Sequence, residues 1–256
     1  YSEAQKLIQD NVMGQRISPR SHQTLGDLHL DFDIDENSIS SYRRELNLDT
    51  AIATTTFTQN GVTYTREAFA SPVDDVLVVR LLADKPAGIS VDVTLDRPAD
   101  FEANAVAPDT LTMSGQASHN GKHKGVKYHT RLRALLQGGQ LATKDKTLSI
   151  KNADAVTLLL VTATDYNFDN PYKPLKADLA RACSKQLTSA GKKSFERIKA
   201  DHIAEHRRLF RRVSLDLGTT AAAAKPTDER LKALKEGADD PALVALYFQF
   251  GRYMLI

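Results

Sequence analysis

Residues Thr54 to Thr65 read TTTFTQNGVTYT, two short runs of β-branched and aromatic residues on either side of Asn60-Gly61. Asn-Gly accepts the positive φ angles of a type I′ turn, whose twist matches that of the strands it joins. The stretch therefore predicts an antiparallel hairpin with Phe57 opposite Tyr64. Upstream, Leu28, Leu30, Phe32 and Ile34 alternate with His29, Asp31, Asp33 and Asp35, the period of a strand with one buried face. Downstream, Val76 to Leu82 and Ile89 to Leu95 flank the turn Asp84-Lys85-Pro86-Ala87-Gly88. Val126 to Leu136, Leu148 to Lys151 and Ala155 to Thr162 follow, separated by Gly138-Gly139 and Asn152-Ala153-Asp154. Strands this closely spaced argue for packed antiparallel sheets rather than βαβ units.

Helices are expected on both flanks of this β region. Tyr1 to Val12 places Ala4, Leu7 and Ile8 on one face and meets Gly14, a plausible C-cap. From Leu175 the β pattern stops. Residues 177 to 213 read as one or two helices rich in Lys, Arg, Ala and Leu, broken near Ser189-Ala190-Gly191, and Ala221 to Pro226 is a small-residue linker. Thr227-Asp228-Glu229 opens a further short helix. Asp239 to Ile256 (DDPALVALYFQFGRYMLI) begins with a helix-start signal and then turns almost wholly apolar. Leu243, Leu246, Tyr247, Phe250 and Met254 recur at helical spacing, and Phe248 and Leu255 widen the apolar face beyond one stripe. Such a helix needs partners on several sides, and it reaches Ile256 without a cap. The expectation is a segment of a larger protein, opening at Tyr1 inside a domain.

Composition narrows the function classes. Of 256 residues, 41% are hydrophobic and 26% charged, and Lys+Arg 34 against Asp+Glu 32 leave a net charge of +2. That balance carries no footprint of nucleic-acid or anionic-membrane binding. No apolar run approaches the ~20 residues of a membrane-spanning helix. The single Cys183 excludes an intrachain disulfide framework and a cysteine-based zinc site.

Three constellations could carry chemistry. His202-Ile203-Ala204-Glu205-His206 fits the His-x-x-Glu-His pattern of inverted zinc peptidases, with two imidazoles one helical turn apart and Glu205 as base. The cationic RRLFRR that follows disfavours a divalent ion, so a polar helix face is the preferred reading. His119, His123 and His129, interleaved with Lys122, Lys124 and Lys127, could hold a metal or a phosphate, but with Gly121 and Gly125 they suit an exposed loop better. The pairs Asp74-Asp75 and Asp239-Asp240 could be imagined as the acid and base of a glycosidase. Adjacent residues rarely face one cleft, and Asp239-Asp240 stands where helix starts attract acids. No phosphate-binding glycine loop and no Gly-x-Ser-x-Gly elbow is present. No catalytic, cofactor-binding or metal-binding residue is therefore assigned, and no cofactor is expected.

A series of seven segments in register resembles the N-terminal region of family 95 glycoside hydrolases, the inverting α-L-fucosidases. They are TLGDLHLDF (Thr24 to Phe32), YRRELNLDTAIA (Tyr42 to Ala53), GVTYTREAFASPVDDVLVVRL (Gly61 to Leu81), GVKYHTRLRALLQGGQL (Gly125 to Leu141), NADAVTLLLVTATDY (Asn152 to Tyr166), HIAEHRRLFRRVSLDLG (His202 to Gly218), and PTDERL with the terminal apolar helix. The resemblance implies a mainly β chain: an antiparallel two-layer β-supersandwich, then linker helices, then the first helix of an (α/α)6 barrel. It places the sandwich at residues 1–175, truncated at its start, the linker helices at 176–225 and the beginning of the catalytic barrel at 226–256.

It further implies a fucosylated glycan as substrate of the intact enzyme, the C-terminal barrel as structural partner, and a secreted or periplasmic setting. The family's general-acid Glu, its paired Asn residues and the Asp that assists them belong to later barrel segments, without counterparts here. His202, Glu205 and His206 fall on the linker helix, which further weakens the zinc reading. Two alternatives stay open: a relative acting on α-L-galactosides, and a stand-alone carbohydrate-binding or structural β-sandwich. The absence of Trp weighs against the aromatic platforms of a lectin.

Overall fold

A computed structural model describes residues 1–12, 23–119 and 123–256. In chain order, α1 (Ser2–Asn11) is followed by β1 (Asp27–Asp31), β2 (Ile39–Asn47), β3 (Ile52–Gln59), β4 (Val62–Ser71), β5 (Val76–Ala83) and β6 (Ile89–Asp96). Then come β7 (Glu102–Val106), β8 (Thr110–His119), β9 (His123–Gln137), β10 (Gln140–Lys144), β11 (Thr147–Ala153) and β12 (Ala155–Thr164). Four helices close the chain: α2 (Leu179–Ala190), α3 (Phe195–Phe210), α4 (Thr227–Lys235) and α5 (Pro241–Tyr253).

The hairpin read first from the sequence is present. Asn60 and Gly61 take φ angles of 51° and 70°, and Phe57 pairs with Tyr64 with their rings stacked 5.1 Å apart. From it the pairing spreads into an eight-stranded sheet, β2-β3-β4-β5-β12-β9-β8-β7, which faces a four-stranded sheet, β1-β6-β11-β10. Every pairing in both sheets is antiparallel. The chain is thus mainly β, a two-layer antiparallel sandwich with helices after it.

The pleat sorts the central strands onto two faces. Val156 and Leu158 of β12, Leu132 of β9, Leu111 and Met113 of β8 and Leu81 of β5 point between the sheets against Val91, Val93, Leu95, Leu148 and Ile150. The intervening residues, Val76, Val78, Leu159 and Val161, point to the opposite face with Phe69 and Ile52. There Cys183, Leu187 and Ala190 of α2 and Ile198 of α3 cover them. The run AVTLLL at the start of β12 is continuous because both sides of that strand are buried, whereas alternation would mark a strand with one wet face.

Several expectations need correction. Val76 to Leu82 and Ile89 to Leu95 are strands, but β5 and β6 belong to different sheets, so the Asp84–Gly88 turn is a crossover between layers. The strand through Leu28 and Leu30 ends at Asp31, before Phe32 and Ile34. Four strands were not read. β2, β7 and β10 are edge strands with mostly exposed side chains, so no apolar alternation marks them, and β8 carries Gly115, Gln116 and Ser118 in its length. Ala221 to Ala224 is a single 3-10 turn within the linker. Helix α1 buries none of its residues, and its expected cap Gly14 lies outside the described residues.

Candidate functional site

Helix α3 starts at Ser194, whose hydroxyl accepts from the Arg197 amide, and runs along the outer face of the large sheet. Its apolar and imidazole residues fall at three-and-four spacing on one side: Ile198, His202, His206 and Phe210 are all buried. The histidines therefore do not form the polar helix face read from the sequence. His202 donates from Nε2 to the Thr50 carbonyl at 2.9 Å, and His206 donates from Nε2 to the Leu48 carbonyl at 2.8 Å. Both carbonyls belong to the tight turn between β2 and β3, so the two rings tie the helix to that turn.

The His202 ring also stacks on Phe69 at 4.7 Å, and burial pushes its pKa below the ordinary value, favouring the neutral imidazole. Glu205 turns away from both rings to pair with Arg208, which holds its carboxyl below the usual range. The Nε2 atoms of both rings are thus engaged by the turn, and the Glu205 carboxylate is engaged by Arg208.

The same turn explains part of the cationic run. Asp49 receives Arg207 at 2.7 Å and Arg211 at 2.6 Å, and these two guanidiniums hold its pKa down to about 2. Arg207 and Arg211 are one helical turn apart, so α3 presents a fork that clasps the single acid of the turn. Sequence reading saw RRLFRR only as positive charge. The signal that could have paired it lies in Asp49, more than 150 positions away, and a separation of that size carries no local pattern.

The remaining candidates separate. His119 and His123 are register partners at the tip of β8 and β9, and their side chains, with Gly121 and Lys122, lie outside the described residues. His129 sits well along β9, opposite Ser114 and Ala163, so it belongs to the sheet and not to an exposed loop. Asp74 pairs with Lys193 at 2.6 Å and accepts from the Ser71 hydroxyl, while the Asp75 carbonyl accepts from Gln186 of α2. Asp240 forms a two-bond ion pair with Arg230 of α4 and caps α5 through the Leu243 amide. Both acid pairs thus fasten helices. The sequence reading also missed a hollow on the outer face of the small sheet, lined by His29, Asp31, Asp92, Thr94, Asp96 and Thr147. Its His29 bonds Asp96 at 2.8 Å, which raises the imidazole pKa.

Beyond α3 the chain turns through α4 into α5. Tyr253 meets the edge of the His206 ring at 6.2 Å, and Arg252 lies over Phe210 and donates to the Val213 carbonyl at 2.8 Å. These contacts fix one side of α5. The other sides are open: Leu243 is its only buried residue, and Tyr247, Phe248, Phe250, Met254 and Leu255 are exposed, Leu255 by 89%.

The family model described as the glycosyl hydrolase family 65 N-terminal domain matches residues 1–169, and the one described as the glycosyl hydrolase family 95 catalytic domain matches residues 194–256. This chain belongs to the glycosyl hydrolase family 65 N-terminal domain family. Residues 170–193, with α2, lie between the two matches, so a family 65-type sandwich is followed by a stretch similar to the family 95 catalytic domain that includes α3, α4 and α5. It is 34% identical over 265 residues to Alpha-L-fucosidase 2 of Arabidopsis thaliana, covering 92% of this chain and 31% of that protein. It is 26% identical over 250 residues to Probable alpha-fucosidase A of Aspergillus niger, covering 92% and 30% respectively. The chain thus spans about a third of the length of the curated relatives it matches. Among solved structures, a putative kojibiose phosphorylase from the human microbiome superposes with a TM-score of 0.51 at 11% identity over 72% of this chain and 27% of that one, a likeness of fold alone.

Proposed function

We propose that these residues are the non-catalytic N-terminal region of an enzyme that hydrolyses terminal α-L-fucosyl residues from glycans with inversion. The division of labour follows the boundaries 1–175 for the sandwich, 176–225 for the linker helices and 226–256 for the opening of an (α/α)6 barrel. The observation that carries the reading is α5: it lies in the stretch matched to a family 95 catalytic domain, and most of its apolar surface has no cover among the described residues. Full burial of a Leu or Phe contributes roughly 1.5–3 kcal/mol, so an exposed array of this kind favours a packed neighbour. Further barrel helices supply that neighbour. The sandwich braces the barrel through α3, whose histidines and arginines lock it to the β2–β3 turn. The general acid and the groups that position the attacking water then belong to the barrel, and His202, Glu205 and His206 have no part in catalysis or in metal binding.

The test compares two proteins. The 256-residue chain alone should release no nitrophenol from nitrophenyl α-L-fucoside above buffer. The chain extended through a barrel should release it and give the β-anomer of fucose as first product by proton NMR. Turnover by the short chain, abolished by a point substitution within it, would refute the division of labour. Faster turnover of the α-L-galactoside by the extended protein would move the activity to that substrate, which differs by one hydroxyl. A second reading, a carbohydrate-binding sandwich, draws on the polar hollow around His29 and Asp96. Retention of glycans by the short chain on an array, lost with Asp96→Ala, would favour it.

A further inference from the structure

Strand β9 turns His129, Arg131 and Arg133 to the same side, because residues two apart share a face. That side faces α2: the Cys183 thiol donates to the His129 carbonyl at 3.1 Å. At Gly191, just past the end of α2, any side-chain carbon would come within 3.3 Å of the Arg133 guanidinium. Between helix and strand lies a cavity of about 150 Å³ lined by Asp109, Thr110, Arg131, Arg133, Ser184, Leu187 and Thr188. Ser184 and Thr188 are one helical turn apart, so their hydroxyls share the wall that faces the arginines.

The charges in this cavity do not balance. Its one carboxylate, Asp109, is already engaged, accepting from Arg133 Nε at 2.8 Å and from the Thr110 hydroxyl at 3.0 Å. Asp178, within electrostatic reach of His129, is engaged in capping α2 through the Arg181 amide. Arg131 has no carboxylate partner among the described residues, and its Nε is buried without a hydrogen-bond acceptor. A guanidinium with an enclosed N–H and no acceptor for it is under-satisfied, and its planar fork matches the oxygens of an oxyanion. Nearby Arg131 also helps to hold the His129 pKa below its usual range, behind the larger effect of burial.

We infer that the cavity between α2 and β9 is a binding site for a tetrahedral oxyanion, a sulfate or a phosphate, held by Arg131 and Arg133 with hydroxyl donors from Ser184 and Thr188. The ion could arrive free or as an ester on a sugar, and both present the same oxygens. A volume of about 150 Å³ leaves room for one such group.

The test is calorimetric titration of the whole chain with sodium sulfate and sodium phosphate at ionic strength held constant with sodium chloride. Galactose 6-sulfate and glucose 6-phosphate are run in parallel. Saturable binding of the inorganic ions is expected, and Arg131→Gln should weaken it by about tenfold or more, the loss of one charge-assisted pairing. Arg44→Gln, on the exposed edge strand β2, should leave it unchanged. Tighter binding of the esters identifies a sugar-ester site, and equal or weaker binding identifies a free-ion site. No saturation by either inorganic ion overturns the inference, as does binding that survives Arg131→Gln. If Arg131→Gln fails to fold by circular dichroism, the double variant Ser184→Ala, Thr188→Val decides. It removes donors and no charge, and it should weaken binding severalfold; unchanged affinity there also overturns the inference.

Discussion

Strand β12 and helix α5 have similar apolar character and opposite fates. β12 reads AVTLLLVTAT, and its first five residues are all buried; α5 reads PALVALYFQFGRY, and only Leu243 is buried. The difference does not lie in hydrophobicity. β12 sits at the centre of a sheet whose inner face is covered by the small sheet and whose outer face is covered by α2 and α3. α5 is held along one edge by His206, Phe210 and the Val213 carbonyl and at its start by Arg230 of α4, while Tyr247, Phe248 and Phe250 stay exposed. An apolar pattern states that a segment requires cover, and the tertiary structure shows whether this chain supplies it.

The contrast breaks most readily at the strand. Leu158 is 1% exposed between the sheets, and Leu158→Ala should cost about 2–5 kcal/mol, the range for cavities in a packed core. Urea unfolding followed by circular dichroism reads this directly, and a cost under about 1 kcal/mol would mean that the central strand is not tightly packed between the sheets. Next comes the joint between the regions. His202→Ala removes a stacked ring and leaves the Thr50 carbonyl unpaired, so a loss of about 2–3 kcal/mol is expected, with faster amide exchange in α3.

Asp49→Asn should have a smaller effect, about 1 kcal/mol, because the carboxylate is more than a third exposed and solvent screens its two arginines. Its pH dependence has a definite sign. The folded pKa of about 2 lies below the ordinary 3.8, so the stabilisation is complete above the ordinary value and is lost as pH falls toward 2. His202 acts in a higher window: its folded pKa is depressed below 6.5, so the stability linked to its neutral form is present above that pH and fades as pH falls. Asp49→Asn should flatten the acid limb of the stability curve, and His202→Ala should flatten the region just below 6.5. Interchanged effects would place the linkage elsewhere.

The smallest stability effect is expected on α5. Leu255→Ser should change stability by less than about 0.5 kcal/mol in this chain, yet reduce self-association in sedimentation. Deleting residues 239–256 should improve solubility and preserve the β-sheet dichroism. Loss of that signal would make the helix part of the sandwich and erase the contrast with β12.

Much of this was legible before the fold was seen, for local reasons. The Asn60-Gly61 turn needs only two residues able to take positive φ, so the hairpin and its Phe57–Tyr64 pair follow from a dozen positions. The helix break at Gly191 and the cap at Asp240 are likewise short-range. Edge strands escaped because a strand paired on one side with both faces wet has no obligatory apolar period, as β2 shows. The His-x-x-Glu-His motif was legible as a helix but not as a joint, because its partners are carbonyls of a turn that has no residue-type signature.

By itself the sequence determined the antiparallel β character, the helical continuation and the family resemblance, since these rest on side-chain period, turn chemistry and segment order. Only the tertiary structure decided that β5 and β6 part into different sheets, that His202 and His206 fasten α3 to the β2–β3 turn, and that Arg131 lines a cavity with no carboxylate paired to it among the described residues. Those outcomes depend on pairings between residues tens to more than a hundred positions apart. The energy of such a pairing is set by burial and by which donor meets which acceptor, and neither is written in any one stretch of the chain.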